Sequence, residues 1–179
     1  MRVFESHKNP LNQSHWVQVG PLHATASGMP GQRRLATWPE AGVTDVVTLQ
    51  PVGQMPVWMP SVCAAWGMQW HHVPLSGKRL SHPDDHATLL RWWRWCRVHT
   101  SLEVPRHVVV HCSAGLHRTG MALYVLCRAQ GMDQEQSVEA VGRMRGLTGH
   151  ELTLESRRGE GSIVERIEGL IQGWLGPEG

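Results

Sequence analysis

HCSAGLHRTG, residues 111–120, decides how this sequence reads. It follows RHVVVH, residues 106–111, the strongest strand pattern in the chain, a β-branched run of the kind buried parallel strands use. Residues 118–130 then read as a helix, with Gly131 placed to end it. A strand, a glycine-containing loop and a helix in immediate succession describe a βα turn. In open α/β sheets ligands bind beyond the carboxyl ends of the strands. A loop wrapped tightly before a helix N-terminus aims several backbone N–H groups at one point, and the helix dipole adds to their pull on an anion. Gly115 lets the backbone curl there, and Gly120 is expected to let the helix pack closely on the sheet.

The side chains of this loop suit phosphoryl transfer. Cys112 stands at the mouth of the cradle, where a field that attracts phosphate also favours thiolate over thiol. Thiolate is the nucleophile. Arg118, with five residues between it and Cys112, offers a planar fork for two phosphoryl oxygens and stabilises transition-state charge. The expected cradle is Ser113, Ala114, Gly115, Leu116, His117 and Arg118. The Thr119 hydroxyl is expected to hydrogen-bond the Cys112 sulfur and so improve it as a leaving group. His111 and Ser113 brace the loop.

Outward from this loop, strands alternate with helices. Residues 16–19 read as a short strand, 45–49 (DVVTL) as a buried one, and 69–73 as another. Helices are expected over 32–41, closed by Gly42, over 56–66, closed by Gly67, and over 81–100, 133–145 and 161–175. The Gly-, Ser- and Pro-rich segment 22–32 reads as loop. The alternation implies an α/β fold with a central, mostly parallel sheet flanked by helices on both faces. A single domain over residues 1–179, with its core at about 16–175, fits the length.

Composition narrows the function. The net charge of +2 is too small to argue for nucleic acid or membrane. No stretch approaches the ~18 apolar residues of a membrane span, and the N-terminal residues carry no apolar secretory core. The four cysteines, Cys63, Cys96, Cys112 and Cys127, show neither CxxC pairing nor metal-ligand spacing, so no metal is expected. Reduced thiols in a cytoplasmic monomer are the expectation. The aromatic set is biased, with nine Trp against one Tyr and one Phe. In LLRWWRWCRVH, residues 89–99, Arg91, Arg94 and Arg97 drift around one helical face between Trp92, Trp93 and Trp95. An amphipathic helix, Trp inward and Arg in solvent, is the favoured reading over a surface for RNA or a phosphoinositide headgroup.

HCSAGLHRTG resembles the signature, Cys-x5-Arg, of the cysteine-based protein tyrosine phosphatase superfamily. Its HRTG ending and the short chain are similar to the dual-specificity and atypical dual-specificity branch. GVTDVVTLQ resembles that family's first buried strand, WHHVPLSG the strand entering its general-acid loop, and GMDQEQSVEAVGRMRG the helix after the catalytic one. The resemblance implies a hydrolase: a protein tyrosine or dual-specificity phosphatase with a phosphocysteine intermediate and no cofactor. Its substrate would be a phosphorylated protein or a small phosphorylated molecule. The alternatives are an RNA 5′-phosphate, inositol polyphosphate or phosphoinositide substrate, or a pseudophosphatase that binds phosphorylated partners.

The resemblance also implies an aspartic acid about thirty residues before the cysteine, to protonate the leaving oxygen and then activate water. After Pro74-Leu75-Ser76 that place holds Gly77. The nearest downstream carboxylates are Asp84 and Asp85, the latter 27 residues before Cys112, with His82 beside them. Asp84, preferred, and Asp85 are therefore the candidate acids, with His82 a third. Their place in a helix first turn would also be explained by the dipole alone. Trp38-Pro39-Glu40 mimics an acid motif but lies 72 residues before the cysteine and reads as a helix end. Lys78 and Arg79 are expected near the pocket. In residues 148–158, Glu151, Glu155 and Arg157 are candidates to place water or rim the pocket. One of Cys63, Cys96 and Cys127 is a candidate redox partner of Cys112, though all three suit a buried core.

Overall fold

The computed structural model describes residues 15–77, 80, 82–98, 105–154 and 161–175. Among them, five strands form one sheet: β1 (Val17–Val19), β2 (Leu22–Ser27), β3 (Asp45–Thr48), β4 (Gln69–His72) and β5 (Arg106–His111). Their order across the sheet is β1-β2-β5-β3-β4. The β1–β2 pair is an antiparallel hairpin, and every other pairing is parallel. β5 sits in the middle, in register with β2 on one side and β3 on the other, so His111 aligns with both Ser27 and Thr48.

Helices cover both faces. On one lie α1 (Gln32–Leu35), a 3-10 turn (Pro39–Ala41) and α2 (Met59–Ala65). There Leu35, Trp38, Met59 and Cys63 pack on Val46 and Val109. On the other lie α3 (Pro83–Val98), α4 (His117–Ala129), α5 (Gln134–Met144), α6 (Gly146–Thr153) and α7 (Ile163–Trp174). There Leu22, Val47, Val108 and Val110 meet Leu123, Leu126, Ile167 and Ile171 in the larger core. The alternation of Val46 with Val47, and of Val109 with its neighbours, puts successive side chains on opposite faces.

Besides the helix expected over 32–41, which is α1 and a separate 3-10 turn, two elements differ from the expectation. Residues 22–27 are not loop but β2, flanked by β1 and β5. The LHATAS sequence hides this because its inward residues after Leu22 are Ala24 and Ala26, small enough for α4 and α5 to lie close over the strand. β2, not residues 45–49, is thus the first strand of the parallel set. The second difference is α6, in a region expected to be a polar rim. No side chain caps it, so no start signal marks it. It forms against α5, where a Cβ on Gly149 would fall 2.5 Å from the Gly142 Cα. Two helix backbones can meet that closely only through glycines.

In α3, Trp92 and Trp93 are buried while Arg94 and Arg97 face solvent. The Trp92 Nε1–H donates to the Ala122 carbonyl, 2.8 Å away. These tryptophans are core, as the amphipathic reading has it. No helix among the described residues is long and apolar enough to cross a membrane.

Beneath the sheet's amino ends, Asp45 joins three strands. Its fully buried carboxylate accepts from His71 on β4 at 2.7 Å and from the Thr44 hydroxyl at 2.7 Å, and pairs with the Arg106 guanidinium on β5 at 3.2 Å. Burial pushes the carboxyl up, but the bonds from His71 and Thr44 and the Arg106 charge outweigh it and hold Asp45 below its ordinary value. The stability this adds is complete above the unfolded value near ~3.9 and is lost as pH falls through the lower folded value. Asp45→Ala should cost about 3 kcal/mol at pH 7. Urea unfolding should show that deficit shrinking below about pH 4; a deficit constant down to acid pH would contradict the ion-pair account.

Candidate active site

β5 ends at His111, which is wholly buried. Its Nε2 lies 2.8 Å from the Thr48 hydroxyl, and the same oxygen accepts from Trp70 Nε1 at 3.0 Å. Burial pushes the His111 imidazole down to about 3, so the ring is neutral at any physiological pH. His111 therefore braces the loop to β3 and adds no charge to it.

Residues 113–116 then turn every carbonyl outward. The Ser113 oxygen accepts from the Met29 N–H at 3.0 Å, and the Leu116 oxygen from the Gly120 N–H at 2.7 Å. Arg145 Nη1 donates to the Ala114 and Gly115 oxygens at 2.8 and 3.0 Å. The Thr148 hydroxyl donates to the Gly115 oxygen at 2.7 Å. With carbonyls out, the N–H groups face in, and no described backbone carbonyl accepts from those of residues 113–118. Gly115 makes the turn at φ 71°, and a Cβ there would sit on the Ser27 oxygen and the Arg145 guanidinium. Gly120 serves a different neighbour from the one expected. A Cβ on it would meet Leu152 and Thr148 of α6 at 3.0–3.4 Å, not the sheet.

The loop encloses a cavity of about 230 Å³. Cys112, Ser113, Ala114, Leu116, His117 and Arg118 line one side of it, and Gln54, Ser76 and Gly77 the other. Cys112 is 3% exposed. The Arg118 fork is only loosely held. Its Nη1 lies 3.4 Å from both Gln54 Oε1 and the Leu75 oxygen, and its Nη2 3.3 Å from the Ser113 hydroxyl. These are at the outer limit of hydrogen bonding, so an arriving phosphoryl group can displace them. Gln54, Arg145 and Thr148 carry no signal in the sequence that would single them out for these tasks.

Three expectations change at this site. The Thr119 hydroxyl is buried and makes no hydrogen bond among the described residues, so the expected bond to the Cys112 sulfur is not formed. It sits in the first turn of α4, a helix buried almost all round. Asp84 and Asp85 occupy the first turn of α3 and line no part of the cavity. The Asp84 side chain is 89% exposed, 3.5 Å from His82. Asp85 is 2% exposed and fully engaged by Ser76, whose N–H donates to Oδ1 at 2.8 Å and whose hydroxyl donates to Oδ2 at 2.6 Å. Instead of meeting the leaving group, Asp85 pins the loop that carries Gly77. Asp85→Ala should lower stability by about 2 kcal/mol in urea unfolding, since two hydrogen bonds to a buried carboxylate are lost. It should leave the dependence of rate on leaving group unchanged; a steeper dependence would restore Asp85 as the acid.

Glu151 does reach the loop: its Oε2 lies 2.6 Å from His117 Nε2. Glu155, Arg157, Lys78 and Arg79 lie outside the described residues. Trp38 is core beneath α1, so Trp38-Pro39-Glu40 has no part in the cavity. Cys63, Cys96 and Cys127 are buried free thiols away from the cavity wall, and burial pushes Cys63 up to about 11 and Cys127 to about 12. Among the described residues no three His, Cys, Asp or Glu side chains converge to hold a metal ion.

Residues 94–139, which contain the whole loop, match the model of the tyrosine phosphatase family. No curated protein sequence matches the chain. Solved structures share its fold. PTPMT1 in complex with PI(5)P is 14% identical, with 91% of this chain and 99% of that one covered and a TM-score of 0.63. Kinase associated phosphatase, KAP, is 15% identical over 92% and 98% of the two chains, with a TM-score of 0.61. TpbA of P. aeruginosa, in complex with pTyr, is 20% identical over 95% and 99%, with a TM-score of 0.54. Cys112, the loop after it and Arg118 all lie inside the segment that matches the tyrosine phosphatase family model, and the fold around them is the one these solved phosphatases share.

Proposed function

We propose that the protein hydrolyses phosphate monoesters through a phosphocysteine on Cys112. The observation that carries this reading is the loop whose carbonyls are all held outward, leaving its amides, Cys112 and Arg118 to share one cavity. A phosphoryl dianion seated there meets N–H donors and a guanidinium, with the sulfur behind the phosphorus. The Cys112 thiolate attacks, the P–O bond to the leaving group breaks, and Arg118 and the amides take up the equatorial charge. Water then attacks the phosphocysteine, and the S–P bond breaks to return the thiolate.

The substrate follows from the walls. The cavity is smaller than the ~300 Å³ at which drug-sized pockets begin, and no Phe, Tyr or Trp is among its described walls. A phenyl ring finds no large aromatic wall to stack on there, so recognition centres on the phosphoryl group, which phosphotyrosine, phosphoserine and phosphothreonine share. A dual-specificity protein phosphatase is the reading this favours. The polar wall of Gln54 and Ser76 supports a second reading, a small polar phosphate ester such as an inositol phosphate.

The test is turnover of an aryl phosphate by wild type and Cys112→Ser, followed by a panel of phosphopeptides, inositol phosphates, phosphoinositides and nucleotides. Turnover that requires Cys112 supports the reading. A wild-type protein that binds phosphate but turns over no ester would make it a binding module for phosphorylated partners.

A further inference from the structure

The first step of this reaction needs a proton for the leaving oxygen, and the second needs a base for water. Gly77 cannot serve, and GKRLS at residues 77–81 has neither carboxylate nor imidazole. Asp85 is consumed by Ser76 and Asp84 faces solvent. Of the described side chains lining the cavity, Cys112 is the nucleophile and Arg118 stays charged, while Gln54, Ser76 and Ser113 do not exchange protons near neutrality. His117 remains, and imidazole is the side chain suited to both halves of such a cycle.

Its setting is built for that work. His117 Nε2 is held 2.6 Å from Glu151 Oε2, with both side chains about two-thirds shielded from solvent. A carboxylate on Nε2 fixes the ring's orientation and keeps the Nε2 proton in place. Nδ1 then has no partner among the described residues and is the nitrogen left to exchange a proton. Glu151 owes its place to α6. Thr148, one turn earlier on the same helix face, donates to the Gly115 carbonyl of the loop. One short helix thus fixes both the cradle and the ring within it.

We propose that His117 is the proton-transfer residue of this cavity and that Glu151 is its positioning residue. This rests on the phosphatase reading above and completes it. In the first step the Cys112 sulfur forms its bond to phosphorus, the bond to the ester oxygen breaks, and His117 imidazolium gives its Nδ1 proton to that oxygen, leaving as an alcohol or phenol. In the second, neutral Nδ1 takes a proton from water as the water oxygen bonds to phosphorus and the S–P bond breaks. Cys112 leaves as thiolate and phosphate departs, so both protein groups return to their starting states. Glu151 keeps its charge throughout and acts only through the ring.

The experiment measures kcat/KM, which reports the first step, over a series of aryl phosphates from p-nitrophenyl phosphate to phenyl phosphate and a simple alkyl phosphate. A poor leaving group depends on the donor more than a good one does. His117→Asn should therefore steepen the fall of log kcat/KM with leaving-group basicity, losing about 100-fold on phenyl phosphate and distinctly less on p-nitrophenyl phosphate. Glu151→Gln, which leaves the imidazole in place, should steepen it in the same direction by about 10-fold. It also keeps the question open should His117→Asn fail to fold. Parallel plots for wild type and either histidine or glutamate variant would overturn the role given to that residue, since a merely structural defect lowers all substrates alike. Cys112→Ser run alongside separates the two levels of the argument. Turnover surviving in that variant defeats the phosphatase reading itself, whereas Cys112-dependent turnover with parallel plots defeats only the His117–Glu151 assignment. A wild-type protein with no turnover on any ester overturns both.

Discussion

Cys112→Ser should abolish turnover of an aryl phosphate, by at least about 10⁴-fold, while vanadate and phosphate still bind. The substitution exchanges one atom. Serine's hydroxyl does not ionise near neutral pH, and a neutral hydroxyl is a far weaker nucleophile than a thiolate. The nucleophile is lost. Everything that binds the dianion stays: the inward amides come from residues 113–118, and their carbonyl partners Met29, Arg145, Thr148 and Gly120 do not involve the sulfur. Steady-state kinetics with p-nitrophenyl phosphate, paired with calorimetric titration of vanadate, checks both halves. Wild-type turnover should be inhibited by vanadate and unaffected by EDTA, because thiolate chemistry has no use for a metal. Loss of vanadate binding in Cys112→Ser would mean that the cradle depends on the sulfur and is not set by its carbonyl contacts.

Arg118→Lys should lower kcat by about 10³-fold and raise KM, although the charge is kept. The guanidinium brings two parallel N–H groups to a pair of phosphoryl oxygens, and the ammonium is a point charge without that fork. The present tethers of Arg118, at 3.3–3.4 Å to Gln54, Leu75 and Ser113, place the fork without occupying it fully. A lysine would find Gln54 and the Leu75 carbonyl equally near and spend its donors there. The same p-nitrophenyl phosphate assay, with inorganic phosphate as competitive inhibitor, separates the two effects. Activity within tenfold of wild type would show that charge alone suffices, and that the planar fork plays no part in the transition state.

Each misread element has a physical cause. β2 escaped notice because its inward positions are alanine. A strand lying under two close helices needs small side chains there, and small side chains carry no hydrophobic signature. α6 escaped because short helices without caps are stabilised by what they pack on, here Gly142 of α5, and not by their own sequence. The surroundings of the two aspartates are hidden in the sequence for a related reason. A carboxylate in a helix first turn looks the same in sequence whether it faces solvent, as Asp84 does, or a loop N–H, as Asp85 does.

Local patterning determined the rest. The β-branched run 106–111 is a strand because such side chains suit a doubly covered sheet, and it is a strand over those residues in the fold. Gly115 permits the backbone to turn beyond it, and Gly131 ends the helix that follows. Five residues between Cys112 and Arg118 are a matter of chain geometry, so HCSAGLHRTG by itself places the thiol, the loop amides and the guanidinium around one cavity. What holds the cradle's carbonyls outward could not be read there. Arg145, Thr148 and Met29 come from distant parts of the chain, and only the packing of α6 on α5 and of α1's approach on the loop brings them in. The partner of His117 was decided in the same way: Glu151 becomes its neighbour only because two glycines let two helices touch.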